Sequence, residues 1–378
     1  MPYNTPVEDR QGTPFPFQGP VPPELLIDRE TELGELARRA ADRVNVRMVA
    51  PRRYGKTSVL VAHAGRLEQS SWRTVYLDLS RVADLVDVAR RVAQAYSRLD
   101  HSWVRAHLSG VLSRVGVSMT AAGPGVVLGA RPARPDVTAA ESVVLPLLDL
   151  PLTLWERDQT STLVVFDEFQ DLLVARKDLD GLLRSRIQHH GDAAAYVFSG
   201  SEPSMMREIF DSKERPLFGQ AMPLALGPLP ADVVTAEFSR RFAQEELDPG
   251  DALGPLVVFA AGHPQRSMLL AYLLADRLAD GEAPTPALAD DIIDEALRIT
   301  EPAHQAAWQS LGSLERAVLA AVADGIAPTS QRLADQHGVA RSTLGDGAQR
   351  LVDQGHLIRE PRAGRLVDPL FAEWIRRR

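Results

Sequence analysis

The chain has 378 residues, 45% hydrophobic and 24% charged, enough to bury two or three cores and typical of a globular protein rather than a disordered or fibrous one. A formal net charge of -8 argues against indiscriminate coating of nucleic acid, and zero cysteines exclude disulfides, thiolate metal sites and sulfur redox chemistry. No apolar run reaches the roughly 18 residues of a membrane span, and the polar segment Met1 to Gly12 lacks the layout of a signal peptide, so no membrane and a cytoplasmic location are expected.

Residues 1–23 are rich in Pro and Gly around Phe15 and Phe17 and read as an extended arm. Leu33, Leu36, Ala37 and Ala40 recur at helical spacing over Glu30 to Ala41, with Asp28 placed as an N-cap. The strand Val46 to Val49, a Gly-Lys turn and the helical run Ser58 to Leu67 follow as one unit. Further strands read at Thr74 to Leu79, Thr162 to Phe166, Ala195 to Ser199 and Met222 to Leu226, separated by segments long enough for parallel crossovers. The fold class is therefore α/β with a parallel sheet. Gly110 to Val137, with short β-prone pieces such as Gly125 to Leu128, reads as an insertion. After Pro230 the pattern is helical to about Ile299, and Leu314 to Arg378 reads as three helices and a β-hairpin, the layout of a winged helix. The expected division is an arm (1–23), an α/β core (24–230), a helical lid (231–300) and a winged-helix domain (301–378).

The segment Ala50-Pro51-Arg52-Arg53-Tyr54-Gly55-Lys56-Thr57-Ser58 fits a Walker A loop with Ala in place of the first Gly. A strand feeds it and a helix leaves it, so backbone N–H groups can surround phosphates while Lys56 reaches the β and γ oxygens and Thr57 ligates magnesium. A chance Gly-Lys-Thr turn competes with this reading. Against it, only Lys56, Lys177 and Lys213 are lysines among 42 basic residues, so composition does not supply a lysine there. The expected cofactors are ATP and Mg2+.

A four-residue apolar strand delivers Asp167 and Glu168 to its C-terminal end, where parallel sheets place ligands. Asp167 is expected to hold magnesium, and Glu168 to orient or deprotonate the attacking water. Ser199 and Ser201, after another apolar strand, are further candidates for the γ-phosphate or that water, although Ser-Gly-Ser alone is an ordinary turn. Arg207 and Arg215 are candidates to meet a γ-phosphate in trans in a homo-oligomer, and Arg266 in cis, although a surface or ion-pair role explains each as well. His189-His190 has no second cluster at metal-ligand spacing and reads as a helix end.

At the C-terminus, Ser330 to Gln336 and Arg341 to Gln354 read as the two helices of a helix-turn-helix. Arg341, Ser342, Thr343, Arg350 and Arg362 are then candidate DNA contacts. From Gln305 onward ten arginines face eight acids, a slight excess that leaves a protein-binding winged helix open. Gly345 and Gly347 inside the second helix each cost about 1 kcal/mol relative to Ala and are expected to let it bend or fray.

The runs T-P-F-P-F-Q-G-P-V-P-P, L-I-D-R-E-T-E-L, A-P-R-R-Y-G-K-T-S, D-E-F-Q-D, I-Q-H-H, F-S-G-S-E-P-S-M-M-R-E-I-F, G-H-P-Q and V-D-P-L-F-A-E-W together resemble the archaeal-type P-loop ATPases, relatives of STAND signalling ATPases and origin-recognition AAA+ proteins. The resemblance spans nearly the whole chain. It implies an ASCE sheet of strand order 5-1-4-3-2, a helical lid and a C-terminal winged helix, with Arg29 near the adenine and Gly262-His263-Pro264 closing over it. Two positions depart from the pattern: Asp28 stands for Gly, and Gln220 stands where many relatives carry Arg. The function expected is a slowly hydrolysing ATP switch coupled to DNA binding, or a STAND-like assembly module whose winged helix binds protein.

Overall fold

The computed structural model describes residues 13–99, 102–113, 117–120, 123–126, 137–360 and 364–378. Two units emerge. A sheet unit holds Glu30–Ala50 and Val59–Leu226, and a helical unit holds the described residues up to Arg29 together with Pro51–Ser58 and Gly227–Arg378.

The strands in chain order are β1 (Val46–Val49), β2 (Arg73–Asp78), β3 (Val117–Thr120), β4 (Gly123–Val126), β5 (Thr162–Asp167), β6 (Ala194–Gly200), β7 (Met222–Ala225), β8 (Leu357–Ile358) and β9 (Arg365–Leu366). Five of them form one parallel sheet in the order β2-β5-β6-β1-β7. Numbered within that sheet alone, this is 2-3-4-1-5, the expected 5-1-4-3-2 read from the opposite edge. The register pairs Met48 with Ser199, Val49 with Gly200, and Asp78 with Asp167. Of the expected insertion, β3 and β4 are described as an antiparallel pair, and most of the rest lies outside the described residues.

Apolar runs explain the two central strands. Every residue of β5 and β6 is buried, as a parallel sheet covered on both faces requires. Their core includes Val75 and Leu77 of β2 and the buried faces of helices Leu85–Tyr96 and Ser102–Leu112. Phe166, Tyr196 and Phe198 stack across β5 and β6, with Phe166 and Phe198 centroids 5.7 Å apart and their ring planes nearly parallel.

In the helical unit the expected arm packs on helices: Phe15 is fully buried, 5.4 Å from Phe238 and 4.6 Å from Phe242, and Phe17 lies 5.0 Å from Tyr272. Met1 to Gly12 lie outside the described residues. Arg241, 1% exposed, donates to the carbonyls of Pro14 (2.7 Å) and Leu25 (2.8 Å) and to Glu237 (2.7 Å), so a buried cation ties the arm to helix Ala231–Gln244. The chain continues through helices Leu253–Ala260, Pro264–Ala279 and Pro286–Ser310, then Ser313–Ala323, Gln331–His337 and Arg341–Asp353, the β8–β9 ribbon and helix Pro369–Arg376. Helix Arg341–Asp353 runs through Gly345 and Gly347 without a break. Buried Leu344, Ala348 and Leu351 hold its inner face.

Candidate functional site

Two of the three expected catalytic residues close β5 and the turn after it, and the third closes β6. Asp167 ends β5; its carboxylate accepts a hydrogen bond from the Tyr76 hydroxyl of β2 and one from the Glu168 N–H at 3.1 Å. Glu168 turns the chain with φ of 50°, a left-handed conformation uncommon for a residue with a side chain. What holds that turn is the next residue: Phe169 is fully buried, 4.7 Å from the Phe198 ring and 5.7 Å from Phe166. Apolar burial thus fixes where the two acids emerge.

Ser199 is fully buried near the end of β6, and its hydroxyl has no hydrogen-bond partner among the described residues. An orphaned buried hydroxyl costs free energy unless a ligand or water satisfies it. Two residues on, Ser201 turns to Glu168: its hydroxyl donates to Glu168 Oε2 at 2.7 Å and its N–H at 3.3 Å. Gln170 Nε2 donates to the same oxygen at 2.6 Å. Ser201 was one of two serines the sequence offered for the γ-phosphate or the attacking water, and here it bonds Glu168; Gln170, within the D-E-F-Q-D run, did not stand out as a functional residue.

The loop Pro51–Ser58 continues β1 directly. Gly55 needs its φ of 86°, which a side chain would strain, and Arg53 also has positive φ at 67°. Ala50 does not have positive φ, so an alanine serves at the first loop position without strain. Helix Lys56–Gln69 begins at the lysine, whose Nζ lies 3.4 Å from the Pro51 carbonyl of its own loop. Ser58, expected among the residues of the nucleotide loop, accepts the Val21 N–H of the arm at 2.9 Å.

Within the helical unit the loop meets residues from far along the chain. Tyr54 is 1% exposed and packs edge-on to His263 at 5.1 Å. Burial pushes its phenol above the usual range, and Arg365 of β9 pulls it partly back. His263 caps helix Pro264–Ala279 by accepting the Arg266 N–H at 3.3 Å, and burial lowers its pKa to about 4. Gly262, φ 73°, lies so close to the Leu229 backbone that a Cβ would collide with it. Arg29, expected beside the adenine, has φ of 80° and donates to the Gly227 carbonyl at 2.7 Å, and Asp28 before it has φ of 59°. A positive φ at position 28 is the reason a glycine is expected there.

The arginines expected as fingers or sensors have separate settings. Arg207 is exposed on helix Pro203–Asp211, and Arg215 pairs with buried Asp180 at 3.1 Å. Arg266, 1% exposed, donates through both Nε (2.9 Å) and Nη2 to Asp368. Asp368 in turn caps helix Pro369–Arg376 and lies 3.6 Å from His304. Burial alone would raise its carboxyl; His304 and Arg266 overcome that and hold it far below the usual carboxylate range. Of the candidate DNA contacts, Arg341, Ser342 and Thr343 are exposed at the start of helix Arg341–Asp353, with Arg341 bonded to the Thr329 carbonyl. Arg350 pairs with Glu315 at 2.9 Å, and Arg362 lies outside the described residues. His190 is buried against the Tyr196 hydroxyl, just after helix Leu179–Ile187, and no metal-ligand cluster occurs among the described residues. No helix among them is long and apolar enough to cross a membrane.

No family model matches the chain, and no curated protein matches it in sequence. Solved structures do match. The Walker-type ATPase of Pyrococcus abyssi aligns over 96% of this chain and 100% of its own, with a TM-score of 0.68 and 18% identity. The ORC2 protein of Aeropyrum pernix in ADPNP–ADP complexes aligns over 97% of this chain and 96% of its own, with a TM-score of 0.63 and 17% identity. Its ADP form gives 0.52 at 17% identity over 96% of each chain. At such identities the likeness is one of fold: the chain has the P-loop ATPase fold of archaeal Walker-type and ORC-like ATPases, as its sequence motifs led us to expect.

Proposed function

We propose that the chain binds ATP with magnesium and hydrolyses it slowly, as a switch whose nucleotide state sets how its C-terminal helices and ribbon, acting as a winged helix, engage DNA. The observation that carries the reading is the strand order. The strand that runs into the loop pairs with β6, which pairs with β5, so the acids and Ser199 stand at the C-terminal edge of the sheet that feeds the loop. The orphaned Ser199 hydroxyl supports a phosphate or its attacking water there. The named ADP and ADPNP complexes of a structural neighbour agree with it.

Lys56 and the loop N–H groups would hold the β and γ phosphates, and Thr57 and Asp167 are the residues that would hold magnesium. That ion, when bound, neutralises charge on the phosphates. Glu168 would take the proton of the attacking water, and Arg207 is the exposed candidate to reach a neighbouring copy's phosphate. Contacts within the helical unit support coupling: Tyr54 of the loop packs on His263, and the adjoining Arg266 joins Asp368, next to β9.

DNA retention measured with ATP, with ADP and without nucleotide over a salt series tests the coupling. A nucleotide-dependent affinity that weakens with salt is expected; indifference to nucleotide, or no retention at low salt, would sink the DNA half. The second reading, a STAND-like module whose winged helix binds protein, is favoured by the Arg350–Glu315 pair, which engages one of the proposed DNA contacts. An ATP-dependent oligomer without DNA affinity would decide for it.

A further inference from the structure

The N-terminal arm carries an inference that rests on the reading of Pro51–Ser58 as a phosphate-binding loop. In the run Pro20-Val21-Pro22-Pro23 the prolines lack a backbone N–H, so Val21 holds the one donor of that stretch. It donates to the Ser58 hydroxyl at 2.9 Å, and Ser58, 5% exposed, is the third residue of helix Lys56–Gln69. Pro22 has φ of -53° and ψ of 145°, the stiff extended geometry of polyproline. The run therefore presents a single amide to the loop from a rigid stretch of chain.

The other contacts of the arm lead to helices Ala231–Gln244 and Pro264–Ala279. Phe15 packs on Phe238 and Phe242, Gln265 Nε2 donates to the Phe17 carbonyl at 3.2 Å, and the Val21 side chain packs on the same core. Arg241 holds the Pro14 and Leu25 carbonyls, so one guanidinium closes the base of a loop whose far side carries Val21. All of these residues belong to the helical unit. Phosphates in the loop would lie against the N–H groups that start helix Lys56–Gln69. We propose that the arm is a strap that retains bound nucleotide, with Val21 and Ser58 as positioning residues. Their hydrogen bond holds the start of that helix to the two helices on which the arm packs, and nucleotide leaves when it breaks. The strap acts on dissociation and not on cleavage of the γ-phosphate.

The test uses the full chain loaded with fluorescent N-methylanthraniloyl-ADP and chased with excess ADP in stopped flow. Val21→Pro removes the N–H within a run that is already proline-rich. It should speed release by about fivefold, the scale of one neutral hydrogen bond, with phosphate release in a single turnover of ATP unchanged. Val21→Ile keeps the N–H and should keep the original rate. Ser58→Ala removes the acceptor and should accelerate release to the same extent, which also preserves the test if Val21→Pro fails to fold. The two changes combined should release no faster than either alone, because they break one bond. The original release rate in either variant that keeps the wild-type melting temperature, or accelerations that multiply in the double variant, would overturn the strap. The underlying reading fails separately: nucleotide held by Lys56→Ala as tightly as by the original chain removes the phosphate loop itself, whereas nucleotide lost there with unchanged release in Val21→Pro removes only the strap.

Discussion

The two units position functional side chains by opposite means. In the sheet unit, apolar burial sets the position: β5 and β6 are buried along their whole length, and Phe169 pins the turn that presents Glu168. In the helical unit, buried charge does the same task. Arg241 ties the arm, and the Arg266–Asp368 pair ties the helix after His263 to the last helix. The contrast teaches that the backbone turn presenting the acids rests on the packing of its strands, whereas the surroundings of the loop depend on individual ion pairs.

The largest expected effect comes from breaking such a pair. Asp368→Asn leaves the Arg266 guanidinium buried without its counter-charge and should cost about 3–5 kcal/mol, read by denaturant melts, with faster amide exchange in helices Pro264–Ala279 and Pro369–Arg376. A loss below about 1 kcal/mol, the scale of a surface pair, would erase the distinction between the units. Next comes acid. Burial holds His263 neutral with a pKa of about 4, Asp368 opposing and Arg266 and Arg53 assisting, against 6.5 for the free side chain. The unfolded chain therefore binds more protons in that window. The stabilisation is fully present above pH 6.5 and is lost as pH falls through about 4, a loss of up to about 3 kcal/mol from this one group. His263→Asn, which keeps a cap acceptor but does not titrate, should flatten the decline in stability; an unchanged pH dependence would contradict the assignment. His63 in the sheet unit, also lowered to about 4 by burial, contributes the same sign and persists in that variant. The smallest effect sharpens the comparison from the other side: a Cβ at Gly345 would meet only Thr329 Cγ2 at 3.8 Å, so Gly345→Ala should stabilise by about 1 kcal/mol. A destabilised variant would mean the helix needs its glycine.

Much of the sheet was legible because a strand advertises itself by a run of apolar residues and a parallel crossover by its length. The expected strands Thr162 to Phe166 and Ala195 to Ser199 differ from β5 and β6 by a residue or two at their ends, and the strand order follows the resemblance. Asp167, Glu168 and Lys56 were legible for a related reason: each stands at a strand end or in a motif with fixed spacing. What escaped has no period. The bond from Gln170 to Glu168 depends on the turn after β5, that from Ser201, a residue the sequence offered for the phosphate or its water, forms only once β5 and β6 pair, and Arg241 reaches Pro14 across more than two hundred residues. Ser58 reads as a phosphate-loop residue by position, yet a backbone N–H of the arm takes its hydroxyl. Asp28 could be recognised as a departure, but the positive φ that makes the position special belongs to the backbone and not to the residue type.

The most direct test of the account is a paired measurement of bound nucleotide and phosphate release in Glu168→Gln and Lys56→Ala. The account predicts that Glu168→Gln keeps ATP while turnover falls by about a hundredfold or more, the scale of lost general-base catalysis, and that Lys56→Ala loses the nucleotide itself. Unchanged phosphate release in Glu168→Gln, or ATP held as tightly by Lys56→Ala as by the original chain, would contradict it.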